Sequence, residues 1–196
     1  MMSHAMNEEN TAHEKSREIK KELRLAMNGV VSALQRKQGL SYKINFGVEI
    51  PRLKAIAAKF SKDEELARRL WEDDIRECKM LAIMLMPQEA YPTVAEKWIS
   101  EAPFTEIADH LAMTILCKLP NAAKRATEWL EREEGMFRYC GFLTLSNLMR
   151  SGTRLTEEEK EAYLGIAENI ESRDTRKAVI LAARNSLIHY SESLES

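Results

Sequence analysis

Three arginines of this chain share one slot. In Ile75-Arg76-Glu77-Cys78-Lys79-Met80-Leu81-Ala82, Phe137-Arg138-Tyr139-Cys140-Gly141-Phe142-Leu143-Thr144 and Thr175-Arg176-Lys177-Ala178-Val179-Ile180-Leu181-Ala182, an arginine stands two residues ahead of a small residue in an apolar segment. A fourth segment, Ala108-Asp109-His110-Leu111-Ala112-Met113-Thr114-Ile115, fits the same frame with Asp109 in the slot. The slot positions are separated by 33, 29 and 38 residues. A charged residue recurring at one register of stacked helices makes a row of fixed charges on one face, here Arg, Asp, Arg, Arg. Each arginine also has a local reading, in which it satisfies a helix end or an acidic run such as Asp73-Asp74 or Glu133-Glu134. Asp109 has two: a carboxylate near a helix start capped by Thr105, favoured by the helix dipole, or an ion-pair partner for Arg138 of the next segment. His110 lies about 100° round the helix from Asp109 and is expected to pack rather than to join it.

The remaining reactive residue types form no pattern. Cys78, Cys117 and Cys140 are widely spaced in apolar segments, with no CxxC and no Cys/His pair at zinc spacing, and read as reduced core thiols. Cys78 and Cys140 occupy the same small-residue slot as Ala178, as close helix packing requires. There is no Walker A loop, nucleophile elbow, HExxH or dinucleotide fingerprint, so neither cofactor nor metal is expected.

The elements that must carry these residues are helices. From Lys15 onward the apolar residues fall into helix-length periods broken at Gly39, Pro87 to Pro92, Pro103, Pro120 and Ser151 to Thr153. Leu53, Ile56, Ala57 and Phe60 make one stripe, with Pro51 suited to its first turn. Amphipathic helices over 65–70, 94–100, 122–131 and 157–169 are each followed by a more apolar one, and the slot residues stand on those second helices. Imperfect repeats of helical pairs at this length are the signature of an α-solenoid of the HEAT or armadillo kind, whose second helices line a concave surface. Trp71, Trp98 and Trp129 lie in or beside first helices and are expected to close the gaps between repeats. The methionines are expected to fill the core, with Met80, Met84 and Met113 within reach of the concave face.

Composition agrees. The 196 residues are 44% hydrophobic and 31% charged, with seven glycines, five prolines and only five valines, which favours helix over strand. A net charge of −2 excludes a strongly basic nucleic-acid binder by bulk charge alone, although a binder can segregate its basic residues onto one face. No apolar run reaches membrane-spanning length, so a cytoplasmic protein is expected. Residues 1–14, which carry His4 and His13, read as a disordered leader, and 15–196 as a single repeat domain.

From about Phe46 to Tyr190 the chain resembles the AlkD-type DNA alkylation repair proteins, which are built from HEAT-like repeats. The resemblance is carried by Phe46-Gly47-Val48-Glu49-Ile50-Pro51-Arg52-Leu53, Leu70-Trp71-Glu72, Ile75-Arg76-Glu77-Cys78-Lys79, Arg138 and Arg176-Lys177-Ala178-Val179. It implies an all-α superhelix of HEAT-like pairs and a glycosylase that releases cationic N3- or N7-alkylated purines from duplex DNA. Such a base leaves without a general acid, and a carboxylate beside the sugar stabilises the positive charge that develops there. The family's Trp-Asp-x-Val-Asp stretch matches Thr105-Glu106-Ile107-Ala108-Asp109, which makes Asp109 the catalytic carboxylate. Arg76, Arg138 and Arg176 would hold the DNA backbone, since a phosphate contact needs a fixed cation and tolerates any base sequence. The chain departs from the family at two aromatic positions, occupied here by Thr105 and Leu181, whose rings would place the sugar against the carboxylate. A rival from another class therefore stays open: a non-catalytic DNA-binding or protein-interaction module on the same scaffold.

Overall fold

The computed structural model describes residues 2–194, with side chains described from residue 11 onward. The chain divides into two units, 1–90 and 91–196, at the proline-flanked break between Pro87 and Pro92.

The first unit contains α1 (Met2–Leu25), α2 (Gly29–Lys37), α3 (Ile50–Ala57), α4 (Glu64–Glu72) and α5 (Arg76–Leu85). Pro51 stands in the first turn of α3, where its missing N–H costs nothing. Asp63 caps α4 by accepting from Leu66 N at 3.0 Å. α4 packs against both α1 and α5, and α3 against α5. The segment expected to be a leader is the start of α1. Its Ala12 is 1% exposed, His13 lies 3.3 Å from Arg69, and just beyond it Lys15 pairs with Asp63 at 2.7 Å, because apolar positions 12, 19 and 23 continue the stripe that α4 covers.

The second unit contains α6 (Tyr91–Glu101), α7 (Thr105–Thr114), α8 (Ala122–Leu130), α9 (Gly135–Arg150), α10 (Glu157–Ala167), α11 (Ile170–Arg173) and α12 (Lys177–Leu194). Here α9 is the hub, packed against α6, α7, α8 and α12. α10 opens with a capping box in which Thr156 and Glu159 satisfy each other's backbone N–H groups. α7 begins after Pro103, but its N-cap is Phe104 in an extended conformation, so Thr105 is the first helical residue and Asp109 lies beyond the first turn. The helix dipole therefore does little for Asp109.

Helices alternate in pairs, α4 with α5, α6 with α7, α8 with α9 and α10 with α12, and among the described residues the only strand-like feature is an isolated parallel bridge between Ile44 and Ile75. Trp71, Trp98 and Trp129 are buried on α4, α6 and α8, as the periodicity predicts. Met80 is buried and Met84 half-buried, while Met113 is exposed. No helix among the described residues is long and apolar enough to cross a membrane.

A candidate catalytic carboxylate beside arginine latches

The three slot arginines share a task, and it is internal. Arg76, at the start of α5, is 4% exposed and donates to Val48 O at 3.1 Å and to Glu77 Oε1 at 3.2 Å. Glu77, fully buried, accepts from Phe46 N at 3.1 Å and Val48 N at 3.2 Å, so the two residues together clamp the segment before α3. Gly47 lets that segment pass: its φ is +70°, and a Cβ there would strike Asn28 O and the Ser32 backbone. The Phe46-Gly47-Val48 motif and the Arg76-Glu77 motif are two halves of one lock.

Arg138 repeats the device in the second unit. It is 8% exposed, donates through Nε to Leu130 O at 3.1 Å, and grips Arg173 O at 3.2 Å and Asp174 Oδ2 at 2.7 Å. Arg176 holds the same carboxylate, with Nε on Oδ1 and Nη2 on Oδ2, both at 2.6 Å, and also reaches Glu133 O at 3.1 Å while its guanidinium lies over Gly135. Burial works against the charge of Asp174, but the hydrogen bonds from Arg176 and Arg138 overcome it and hold the carboxyl at about 2. Arg76 and Arg138, expected with Arg176 to hold DNA phosphates, are buried and bonded to backbone carbonyls and carboxylates. Arg176 keeps half of its side chain in solvent. An arginine at this register reaches the loop of an adjacent element more readily than it reaches water, because the slot lies at or near the second helix's first turn.

Asp109 is differently placed. It is half-buried on α7, and its Oδ1 accepts from the Tyr139 hydroxyl of α9 at 2.8 Å. The expected pairing with Arg138 does not form: consecutive residues of α9 point about 100° apart, so Arg138 turns toward Asp174 while Tyr139 turns toward α7. No other hydrogen bond is made to Asp109 among the described residues, which leaves Oδ2 for a ligand. Burial raises the Asp109 carboxyl above its ordinary value, and Glu106 adds to the rise, while the Tyr139 hydroxyl and His110 oppose it. The Tyr139 phenol is itself pushed up, by burial and then by its bond to Asp109. The solvent-side residues around the pair are Thr105 and Met113 of α7, and Leu143 and Asn147 of α9, spaced four apart from Asp109 or Tyr139 along their helices. On α12, Leu181 is exposed.

Chemically this is a lone, partly desolvated carboxylate with one oxygen held and one offered. Among the described residues no group of three or more His, Cys, Asp or Glu side chains is placed to hold a metal ion. The thiols are not reactive partners: burial raises Cys78 and Cys140, and pushes Cys117 up to about 11. Three clefts in the second unit, of about 250, 340 and 350 Å³, are lined by residues of α6, α8 to α10 and α12 and their loops, and none includes Asp109. What the arrangement suits is a cation brought to a fixed negative charge. Sequence reasoning missed Tyr139; its signal was the spacing of Tyr139, Leu143 and Asn147 at four-residue steps, which marks the face of α9 that the slot arginine does not occupy.

The family model for a DNA alkylation repair enzyme matches residues 19–192, nearly the whole chain. The chain belongs to the DNA alkylation repair enzyme family. Among solved structures, one described as "A new family of proteins related to the HEAT-like repeat DNA glycosylases with affinity for branched DNA structures" aligns with a TM-score of 0.77 at 20% identity, covering 91% of this chain and 80% of that one. The fold is therefore the all-α HEAT-like repeat fold that the paired periodicities and the resemblance both led one to expect. A search of curated proteins finds no match. In this chain Arg76 and Arg138 are buried and bonded to neighbouring carbonyls and carboxylates, Arg176 is bonded to Asp174 with half of its side chain exposed, and Asp109 is bonded through one oxygen to Tyr139.

Proposed function

We propose that this protein binds DNA and that Asp109 serves as the electrostatic group of an alkylpurine DNA glycosylase, hydrolysing the N-glycosidic bond of cationic N3- or N7-alkylated purines in duplex DNA. The observation that carries this reading is the Asp109 carboxylate, partly desolvated, held through Oδ1 and open at Oδ2. As the bond to a cationic base breaks, positive charge moves to the deoxyribose, and a preorganised carboxylate in a poorly solvated site stabilises that charge and orients the attacking water. No general acid is required, because the base leaves neutral. Arg176, with its exposed edge, remains a candidate phosphate contact, whereas Arg76 and Arg138 act by holding the elements in place.

A second reading is favoured by Thr105 and Leu181, which replace the family's two aromatic residues, and by the structural neighbour described as having affinity for branched DNA. In it the chain binds DNA structure without excising a base. One experiment separates the two: single-turnover release of base from duplexes carrying N7-methylguanine or N3-methyladenine, with protein in excess, for the wild type and Asp109→Asn. Release above spontaneous depurination that falls at least tenfold in Asp109→Asn supports the glycosylase. Release at the spontaneous rate in both, with salt-sensitive binding of branched duplexes, supports the binder.

A further inference from the structure

We propose that Tyr139 is a positioning residue for Asp109, and that its hydroxyl, bonded to Oδ1, presents Oδ2 in a single orientation. The proposal rests on the reading of Asp109 as the functional carboxylate and adds the group that makes it usable. Thr105 and Asp109 are four residues apart on α7, so they stand one above the other on the same face. The phenol of Tyr139 reaches across from α9, and its hydroxyl donates to Asp109 Oδ1 at 2.8 Å.

The consequence for Asp109 is twofold. A carboxylate held at one oxygen loses its freedom to rotate about its last bond, so Oδ2 is presented in one place. A neutral donor also stabilises the charged form without supplying an opposing full charge, as an arginine would, and the negative field at Oδ2 is largely preserved. The titratable groups that act on Asp109 are Tyr139 and Cys140 from α9 and Glu106 and His110 from its own helix. Of these, Tyr139 alone is hydrogen-bonded to it.

The test uses the full-length chain with Tyr139→Phe, which removes one oxygen atom from a half-buried ring, and Thr105→Val as a second variant at an exposed position. The Asp109 carboxyl is titrated by carbon NMR in both and in the wild type, and repeated in a His110→Gln background to separate the histidine's own titration. Loss of a hydrogen bond to a charged group should raise the Asp109 pKa by about one unit in Tyr139→Phe, with no comparable rise in Thr105→Val, which leaves the Tyr139 hydroxyl in place. Wherever the wild type releases base, the acid limb of the single-turnover pH profile should move up by the same interval and the plateau rate fall about tenfold. An Asp109 titration unchanged in Tyr139→Phe overturns the proposal whatever the activity. A wild type without base release overturns the glycosylase reading, and the titration still decides the role of Tyr139.

Discussion

Replacing Asp174 by Asn tests whether the recurring arginines are latches. In the second unit Asp174 is 5% exposed and neutralises Arg138, which is 8% exposed and has no other acidic partner among the described residues. Removing one member of a buried pair leaves the other charge uncompensated and costs about 3–5 kcal/mol; the low end applies here, because the amide oxygen still accepts one hydrogen bond. For a chain of this size that corresponds to a fall in Tm of roughly 10 °C, measured by circular dichroism at pH 7. The effect carries a pH signature whose sign follows from the depressed carboxyl. Asp174 titrates at about 2 in the folded chain and at about 3.9 when unfolded, so its stabilisation is complete above pH 5 and is lost as the pH falls toward 2. The shift is equivalent to roughly 2–3 kcal/mol, of which roughly half is gone at pH 3, and the gap between wild type and Asp174→Asn should narrow by about 1 kcal/mol between pH 7 and pH 3. A parallel variant, Arg138→Met, should lower Tm comparably and leave the salt slope of DNA binding unaltered. The latch is refuted if Asp174→Asn melts within a degree of the wild type, or if Arg138→Met keeps its Tm while the salt slope drops by about one, the mark of a lost phosphate contact.

Other expectations follow from the same geometry. Gly47→Ala places a Cβ against Asn28 O at a φ of +70° and should destabilise the first unit by more than 2 kcal/mol, read by urea unfolding; an unchanged midpoint would mean that the 44–48 segment moves freely. Cys78 and Cys140, fully buried with raised thiol pKa values, should resist an aromatic disulfide reagent until the chain unfolds, whereas half-buried Cys117, at about 11, should react slowly and faster with rising pH; three rapidly labelled thiols at pH 7 would contradict the packing.

Much of this protein is written in local pattern. The breaks at Gly39, Pro87 to Pro92, Pro103, Pro120 and Ser151 to Thr153 fall between observed helices or, like Pro92, in a first turn, and the helices expected over 94–100, 122–131 and 157–169 appear as α6, α8 and α10. These features are legible because a 3.6-residue apolar period and a proline act on the chain within a turn or two, whatever lies beyond. The burial of the three tryptophans was legible for the same reason. The register of Arg76, Asp109, Arg138 and Arg176 was also visible, although the four stand at different depths, from just before a helix to its fifth residue.

What those places do was decided in three dimensions. A charged side chain in a repeat slot has the same sequence signature whether it faces solvent or an adjoining loop, and the choice depends on which carbonyls and carboxylates the tertiary packing brings within its reach. Val48 O and Glu77 claim Arg76; Leu130 O, Arg173 O and Asp174 claim Arg138. Asp174, 36 residues from Arg138, carries no pattern that announces the pairing. The partner of Asp109 was likewise hidden, since Tyr139 follows the slot arginine directly and only the 100° step between consecutive helical residues separates a buried latch from the open carboxylate. Local periodicity determined the helices and the phase of the repeats; long-range packing determined which charge is buried and which is left for a ligand.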